Sequence, residues 1–251
     1  MARSPIQIFP IAGLPEVKAG DDLPQWIVKS LSSGGAPVSA GDVLVVAQKI
    51  VSKAEGRFVP LESVEPSERA FRWASEYQKD PRVIELVLRE ASRIVRMERG
   101  VIVAETRHGF VCANAGVDVS NVPEGMALLL PEDPDRSASE LRERLTKTFG
   151  LPVGVIISDT FGRPWREGLV NVALGVAGIA PLLDYRGQRD ASGKLLQATL
   201  IAIADEIASA AELVMGKSDG VPLAIVRGLD ASGAPGTGRD LIRPAERDIF
   251  R

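Results

Sequence analysis

VGVIISDTFGRPWREG, residues 153–168, changes character part-way along. Val153 to Ile157 are apolar or small and read as a buried strand, after which Ser158 to Gly168 turns polar and glycine-bounded. In open α/β sheets ligands collect outside the carboxyl ends of strands, so Asp159 and Thr160 stand where a rigid element hands over to a loop. Taken alone the pair has a plainer reading, with Asp159 capping a turn and Thr160 finishing the strand. Either way the stretch sets the fold expectation: a mixed α/β (α+β) chain whose core strands end in polar segments.

The same pattern recurs outward from this stretch. Val43 to Ala47 is a second buried strand, and it runs directly into Gln48, Lys49 and Lys53. Lysines four apart are commonly a solvated helix face, but at a strand end they also suit delivery of a compact cation to a phosphate. Asn114 to Asn121 leaves an expected hairpin with one carboxylate, Asp118, which alone reads as a turn residue. Met215 to Pro222 loops into a strand at Leu223 to Val226, and Gly13 to Val17 is a loop held between ordered elements.

The rest reads as scaffold. Ile6, Ile8 and Ile11 mark an opening strand interrupted by Pro10, and Asp22 caps a helix carrying Trp26, Ile27 and Leu31. Pro66 to Arg69 opens one helix, and Asp80-Pro81 a second that extends through Ile94. Val101–Ala104 and Phe110–Ala113 flank a hairpin turn, and Met126 to Leu130 forms a further strand. Ser137 and Glu140 have capping-box spacing for a helix that stops at Gly150. Leu169 to Leu183 is too broken for a helix, Tyr185 to Asp190 is a polar loop, and Leu195 to Val214 reads as one long helix. Residues 1–251 are expected as one unit with up to two α/β subdomains and a poorly ordered tail at 229–251.

Composition narrows the chemistry. The 251 residues are 45% hydrophobic and 25% charged, ordinary for a globular chain. A formal charge of −3 offers no basic excess for nucleic acid. The single cysteine, Cys112, and single histidine, His108, exclude an intrachain disulfide and a Cys/His zinc cluster; Cys112 reads as a buried thiol and His108 as a turn residue. No run reaches the roughly 18 apolar residues of a membrane span, and MARSPIQIFP lacks a signal-peptide core, so a cytoplasmic protein is expected. Oxygen ligands without His or Cys suit a hard cation, Mg²⁺ or Mn²⁺, that fills its shell with water and substrate phosphates. Neither GxxxxGK[ST] nor GxGxxG occurs.

Taken together, GLPEVKAGDDL (13–23), GDVLVVAQKIVSKAEGR (41–57), NAGVDVSN (114–121), ISDTFGRPWREG (157–168) and MGKSDGVP (215–222) closely resemble the coenzyme F420-0:γ-glutamyl ligase family. The resemblance implies a family-specific mixed-sheet fold in an intertwined homodimer. It implies a GTP-dependent ligase that adds L-glutamate to coenzyme F420-0, extends the tail through γ-linkages in some members, and needs Mg²⁺ or Mn²⁺, with K⁺ a further candidate. It places metal ligands at Asp118, Asp159 and Thr160. It places nucleotide contacts at Leu14, Pro15, Glu16, Val17, Gln48, Lys49, Lys53 and Asn121, and along Met215, Gly216, Lys217, Ser218, Asp219, Gly220 and Val221.

Two departures matter. Lys217 stands where some relatives carry an acidic metal ligand, so the resemblance does not extend to a second metal site unless Asp219 substitutes, and Gln48-Lys49 stands where some members carry small hydroxyl residues. Charge placement makes Lys53, Asp118 and Asp159 the expected catalytic groups, and Arg163 and Arg166 candidates for the glutamate carboxylates. A metal-dependent hydrolase of phosphorylated metabolites and a nucleotide-binding regulatory module are the competing readings.

Overall fold

The strand at the centre of the sequence is twice as long as its apolar run. The computed structural model describes residues 5–33, 36–229 and 234–249. In chain order they form β1 (Gln7–Ile11), α1 (Leu23–Ser33), β2 (Val43–Ala47), α2 (Gln48–Ala54), β3 (Phe58–Pro60), α3 (Glu68–Tyr77), α4 (Pro81–Glu90), β4 (Ala91–Glu98) and β5 (Val101–Thr106). Then follow β6 (Val111–Ala113), β7 (Met126–Leu128), α5 (Pro134–Phe149), β8 (Gly154–Arg163), β9 (Arg166–Ala177), β10 (Leu183–Asp184), β11 (Leu200–Ile201), α6 (Ile203–Met215) and β12 (Leu223–Arg227). No described helix is long and apolar enough to cross a membrane.

The main sheet has the order β1-β12-β2-β8-β9, with β2 and β8 parallel and every other neighbour antiparallel. Side chains alternate along β2: Leu44 and Val46 pack with α1, α2 and α5, while Val43 and Val45 pack with α6. Because helices cover both faces, polar residues appear on neither, and the strand reads as an unbroken apolar run. Pro10 is tolerated because β1 is an edge strand bonded only to β12. Arg227 at the end of β12 is tied to the start of β2 through Asp42, with Nε and Nη2 donating at 2.8 and 2.7 Å to a carboxylate only 3% exposed.

A second cluster lies beside this sheet, where α3 and α4 cover β4-β5-β6 around Ile84, Val87, Ile102 and Ala104. The β3–β7 pair joins the two parts of the chain. Asp118, just beyond β6, bridges Leu128 of β7 through reciprocal backbone hydrogen bonds of 3.0 and 2.8 Å.

Several expectations need correction. Ser158 to Gly168 is not a loop: β8 continues to Arg163 and pairs with β9 through Asp159↔Val172 and Thr160↔Asn171, leaving only Pro164-Trp165 as the turn. Leu169 onward is accordingly strand to Ala177. The helix expected to reach Ile94 ends at Glu90, and Ile94 lies on β4, a strand missed because its polar face alternates irregularly across two register shifts. Asp133, not Ser137, caps α5: its carboxylate accepts from the Arg136 N–H at 3.1 Å, with Pro134 at the start of the helix. Ser137 instead donates to Glu55. The long helix expected from Leu195 begins only at Ile203. Where a loose tail was expected, residues 234–249 carry two 3₁₀ turns, and Gly238 N–H donates to Asp135 at 2.6 Å. Residues 230–233, 250 and 251 lie outside the described residues.

One close approach fixes how α5 sits on the sheet. A Cβ on Gly175 of β9 would overlap the Pro134 carbonyl at the start of α5, where backbone rather than a movable side chain is in the way. Gly175→Ala is therefore expected to lower stability by about 3 kcal/mol, read as a reduced urea midpoint at constant m-value. An unchanged midpoint would show that α5 can lift off β9 freely.

Candidate active site

β2 and β8 lie in parallel register, Ala47 opposite Ser158, so the end of one strand and the middle of the other stand side by side. The chain turns from β2 into α2 with no intervening loop. Gln48, Lys49 and Lys53 thus start from the strand end. Gln48 is buried and its Oε1 accepts from Ser52 Oγ at 2.9 Å. Lys49 reaches across to the Asp118 segment, with Nζ 2.7 Å from Asp118 Oδ2 and 2.8 Å from Ser120 Oγ. Asp118 Oδ1 accepts from the Ser120 N–H at 2.7 Å.

These contacts set the charges. Burial works against the Asp118 anion, but Lys49 and the Ser120 donors outweigh it and hold the carboxyl below its usual range. Asp159 goes the other way: burial pushes its carboxyl up to about 6, against the pull of the Thr160 N–H and the Lys217 and Lys49 ammoniums, and the Asp118 charge adds to the rise. No ion pair neutralises Asp159 among the described residues. The two aspartates therefore feel one another while only one has a cation in contact. Cys112 is buried as expected, its thiol raised to about 12 by burial and then by the Asp159 charge. The His108 ring packs in the turn, hydrogen-bonding the Glu132 carbonyl at 3.0 Å.

Thr160 carries the next links. Lys217 Nζ donates to its hydroxyl at 3.0 Å, and the hydroxyl donates to Asn171 Oδ1 at 2.9 Å. One lone pair on Thr160 remains. Beside it the buried Ser158 hydroxyl has no hydrogen-bond partner among the described residues.

All of this opens onto a cavity of about 320 Å³. Its walls include Leu14, Pro15, Glu16, Val17, Gln48, Lys49, Lys53, Asn121, Asp159, Thr160, Met215, Gly216, Lys217, Gly220 and Val221, fifteen of the residues the sequence marked. Asp118 stands behind Lys49. Ser218 and Asp219 are off the wall: Ser218 Oγ donates to Asp219, whose carboxylate packs over Gly216. Arg163 and Arg166 are not on the wall either; they flank the tip of the β8–β9 hairpin, where the Arg163 guanidinium caps the Glu167 and Gly168 carbonyls.

Three polar wall residues escaped the sequence reading: Ser158, Asn171 and Glu212. Asn171 carried a signal, as one amide inside the apolar run VNVALGV. Glu212 carried none, being one of three acids in an alanine-rich helix.

The donor set fits a hard cation. Two carboxylates, one hydroxyl with a free lone pair and one orphan hydroxyl are what Mg²⁺ or Mn²⁺ uses when phosphates and water complete its shell. The described residues contain no group of three or more His, Cys, Asp or Glu able to enclose an ion.

The chain is similar in sequence to known proteins. The family described as F420-0:Gamma-glutamyl ligase matches residues 13–228. A coenzyme F420:L-glutamate ligase of Methanothermobacter thermautotrophicus is 48% identical over 249 residues, covering 98% of this chain and 99% of that protein. One from Methanopyrus kandleri is 50% identical over 251 residues, 98% of each. One from Archaeoglobus fulgidus is 42% identical over 247 residues, 98% of this chain and 96% of the relative. With the match running from the Leu14 loop through both aspartates to β12, the chain belongs to the F420-0:Gamma-glutamyl ligase family and is a ligase.

Proposed function

We propose that this chain is a GTP- and divalent-cation-dependent ligase that joins L-glutamate to coenzyme F420-0 through an acyl phosphate, releasing GDP and phosphate. The observation that carries it is convergence: Asp159, Thr160, residues 14–17 and most of the 215–221 loop line one cavity with Lys49 and Lys53, and Lys49 is paired with Asp118.

The chemistry follows from the leaving group. A carboxylate cannot be attacked directly by an amine, because oxide would have to depart. A carboxylate oxygen of coenzyme F420-0 attacks the γ-phosphorus of GTP, the bond to the β-phosphate oxygen breaks, and GDP leaves. The glutamate nitrogen then attacks the activated carbonyl carbon, the carbon–oxygen bond to phosphate breaks, and inorganic phosphate leaves. Asp118, Asp159 and Thr160 would hold a hard cation, which when bound neutralises phosphate oxygens. Lys53, on the cavity wall and without an ion pair among the described residues, adds a second positive charge to the phosphoryl group in flight. Lys49 keeps Asp118 ionised and fixes its segment to α2.

The 14–17 and 215–221 loops are proposed as the nucleotide walls. A homodimer is proposed as well, supported by large apolar side chains left uncovered in one chain, Leu169 at 64% and Leu213 at 82% exposed. Sedimentation of the purified protein reads the mass directly. K⁺ dependence is read by replacing K⁺ with Na⁺ in the assay.

Incubation with GTP, Mn²⁺, coenzyme F420-0 and L-glutamate tests the reading. Glutamylated product with one phosphate per amide bond is expected. Phosphate release that ignores glutamate would make the chain a hydrolase, and saturable GTP binding without turnover a regulatory module.

A further inference from the structure

The cavity carries Lys49, Lys53 and Lys217 on its walls together with the carboxylates of Glu16, Asp159 and Glu212. Of the three acids, Glu212 is held by a buried amide. It projects from the last turn of α6 onto the same wall, and its position is imposed. Its Oε2 accepts from Asn171 Nδ2 at 2.9 Å. Asn171 is itself 4% exposed, and its backbone carbonyl accepts from Ser209 Oγ at 2.7 Å. The orientation of its amide follows from the neighbouring bond. Lys217 can only donate to Thr160, so the Thr160 hydrogen is free to point at Asn171 Oδ1, which turns Nδ2 towards Glu212. Glu212 forms no ion pair with any described residue. A fixed, unneutralised carboxylate repels a triphosphate in the same cavity, and the repulsion strengthens as ligands expel water. Its place is favourable only if one ligand group is cationic.

Resting on the ligase reading above, we infer that Glu212, positioned by Asn171, is the subsite for the ammonium group of the amino-acid acceptor. Among the reactants of that reaction the acceptor amine is the one cationic organic group. Glu212 binds the ammonium and aims the nitrogen. The ammonium sheds one proton, the nitrogen lone pair forms the C–N bond as the C–O bond to phosphate breaks, and a second proton leaves as the amide forms; both pass to solvent or the departing phosphate. A second divalent ion is the rival occupant. Against it, the group hydrogen-bonded to Glu212 is the amide NH₂ of Asn171, a donor that cannot ligate a cation, rather than a second carboxylate.

The test compares Glu212→Gln with the unaltered protein using two acceptors, L-glutamate and the neutral nucleophile hydroxylamine. With glutamate, KM is expected to rise at least tenfold while KM for GTP stays within twofold. With hydroxylamine, which needs no ammonium subsite, the yield of hydroxamate is expected to stay within threefold. Glu212→Asp, which keeps the charge, should recover part of the glutamate KM, and serves alone if the Gln variant does not fold. An unchanged glutamate KM in both variants overturns the inference. So does a parallel loss of Mn²⁺ and GTP affinity, which would make Glu212 a metal–nucleotide group. If the unaltered protein forms neither amide nor hydroxamate, the acyl-phosphate reading has failed, and that result is separable from any effect at Glu212.

Discussion

Asp159→Asn is expected to stabilise the metal-free protein and to abolish turnover. Desolvation pushes the half-buried Asp159 carboxyl up to about 6 in the fold, above its unfolded value of about 3.9. A raised acid pKa means the proton-bound form is the favoured one. The contribution is fully present below the unfolded pKa and is lost as pH rises through about 6. At pH 7.5 the anion therefore costs on the order of 2 kcal/mol, which an uncharged amide removes. Melting curves in chelator should show the variant ahead at pH 7.5 and the advantage shrinking towards pH 4. Adding Mn²⁺ and GTP should reverse the order, because only the carboxylate gains from the cation. Turnover should fall about 10³-fold. Equal melting temperatures at both pH values would mean that Asp159 carries no unmet charge.

Lys53→Ala is the second large effect, and it separates catalysis from stability. Lys53 lines the cavity on α2 and makes no ion pair with any described residue, so its removal breaks no structural contact of the kind Lys49 makes with Asp118. The melting temperature should change by the equivalent of less than about 0.5 kcal/mol. A cation acting on phosphoryl charge in the transition state is worth more than that, and kcat should fall about 10²-fold with a smaller change in KM for GTP. Arginine at the same position should restore little, since a planar fork on a longer arm does not reproduce a compact point charge. A kcat unchanged in Lys53→Ala would remove it from the mechanism.

How much of this was legible in the sequence depends on what each residue has to satisfy. β2 and β12 were readable because both faces are buried and the apolar runs are continuous. Helix starts were readable where one side chain caps them, as Asp22, Ser67 and Asp80 do, and Gly150 marked a stop because it takes a left-handed φ of 67°. The capping-box spacing at Ser137 misled because the helix already starts at Asp133-Pro134, so the N–H groups a Ser137 cap would serve lie inside it and bond to backbone carbonyls. The distal half of β8 was hidden for a functional reason. Once a strand leaves the core its side chains answer to the cavity, so Ser158-Asp159-Thr160 looks like a loop although its backbone stays paired.

The site divided along the same line. Asp118 and Asp159 could be singled out because each is a lone carboxylate following an apolar run. The partnership of Lys49 with Asp118, and the chain from Lys217 through Thr160 and Asn171 to Glu212, joins elements far apart in sequence that no spacing rule connects. Arg163 and Arg166 looked adjacent to Asp159 and Thr160, yet the extended backbone carries them to the hairpin tip, about 3.3 Å further away with each residue.

The central claim is that this cavity transfers a phosphoryl group to a substrate carboxylate before the amide bond forms. Coenzyme F420-0 labelled with ¹⁸O in its reacting carboxylate, turned over with GTP, Mn²⁺ and L-glutamate, tests it by ³¹P NMR of the released phosphate. One ¹⁸O atom from the carboxylate in each phosphate is the predicted result; unlabelled phosphate accompanying glutamylated product would contradict it.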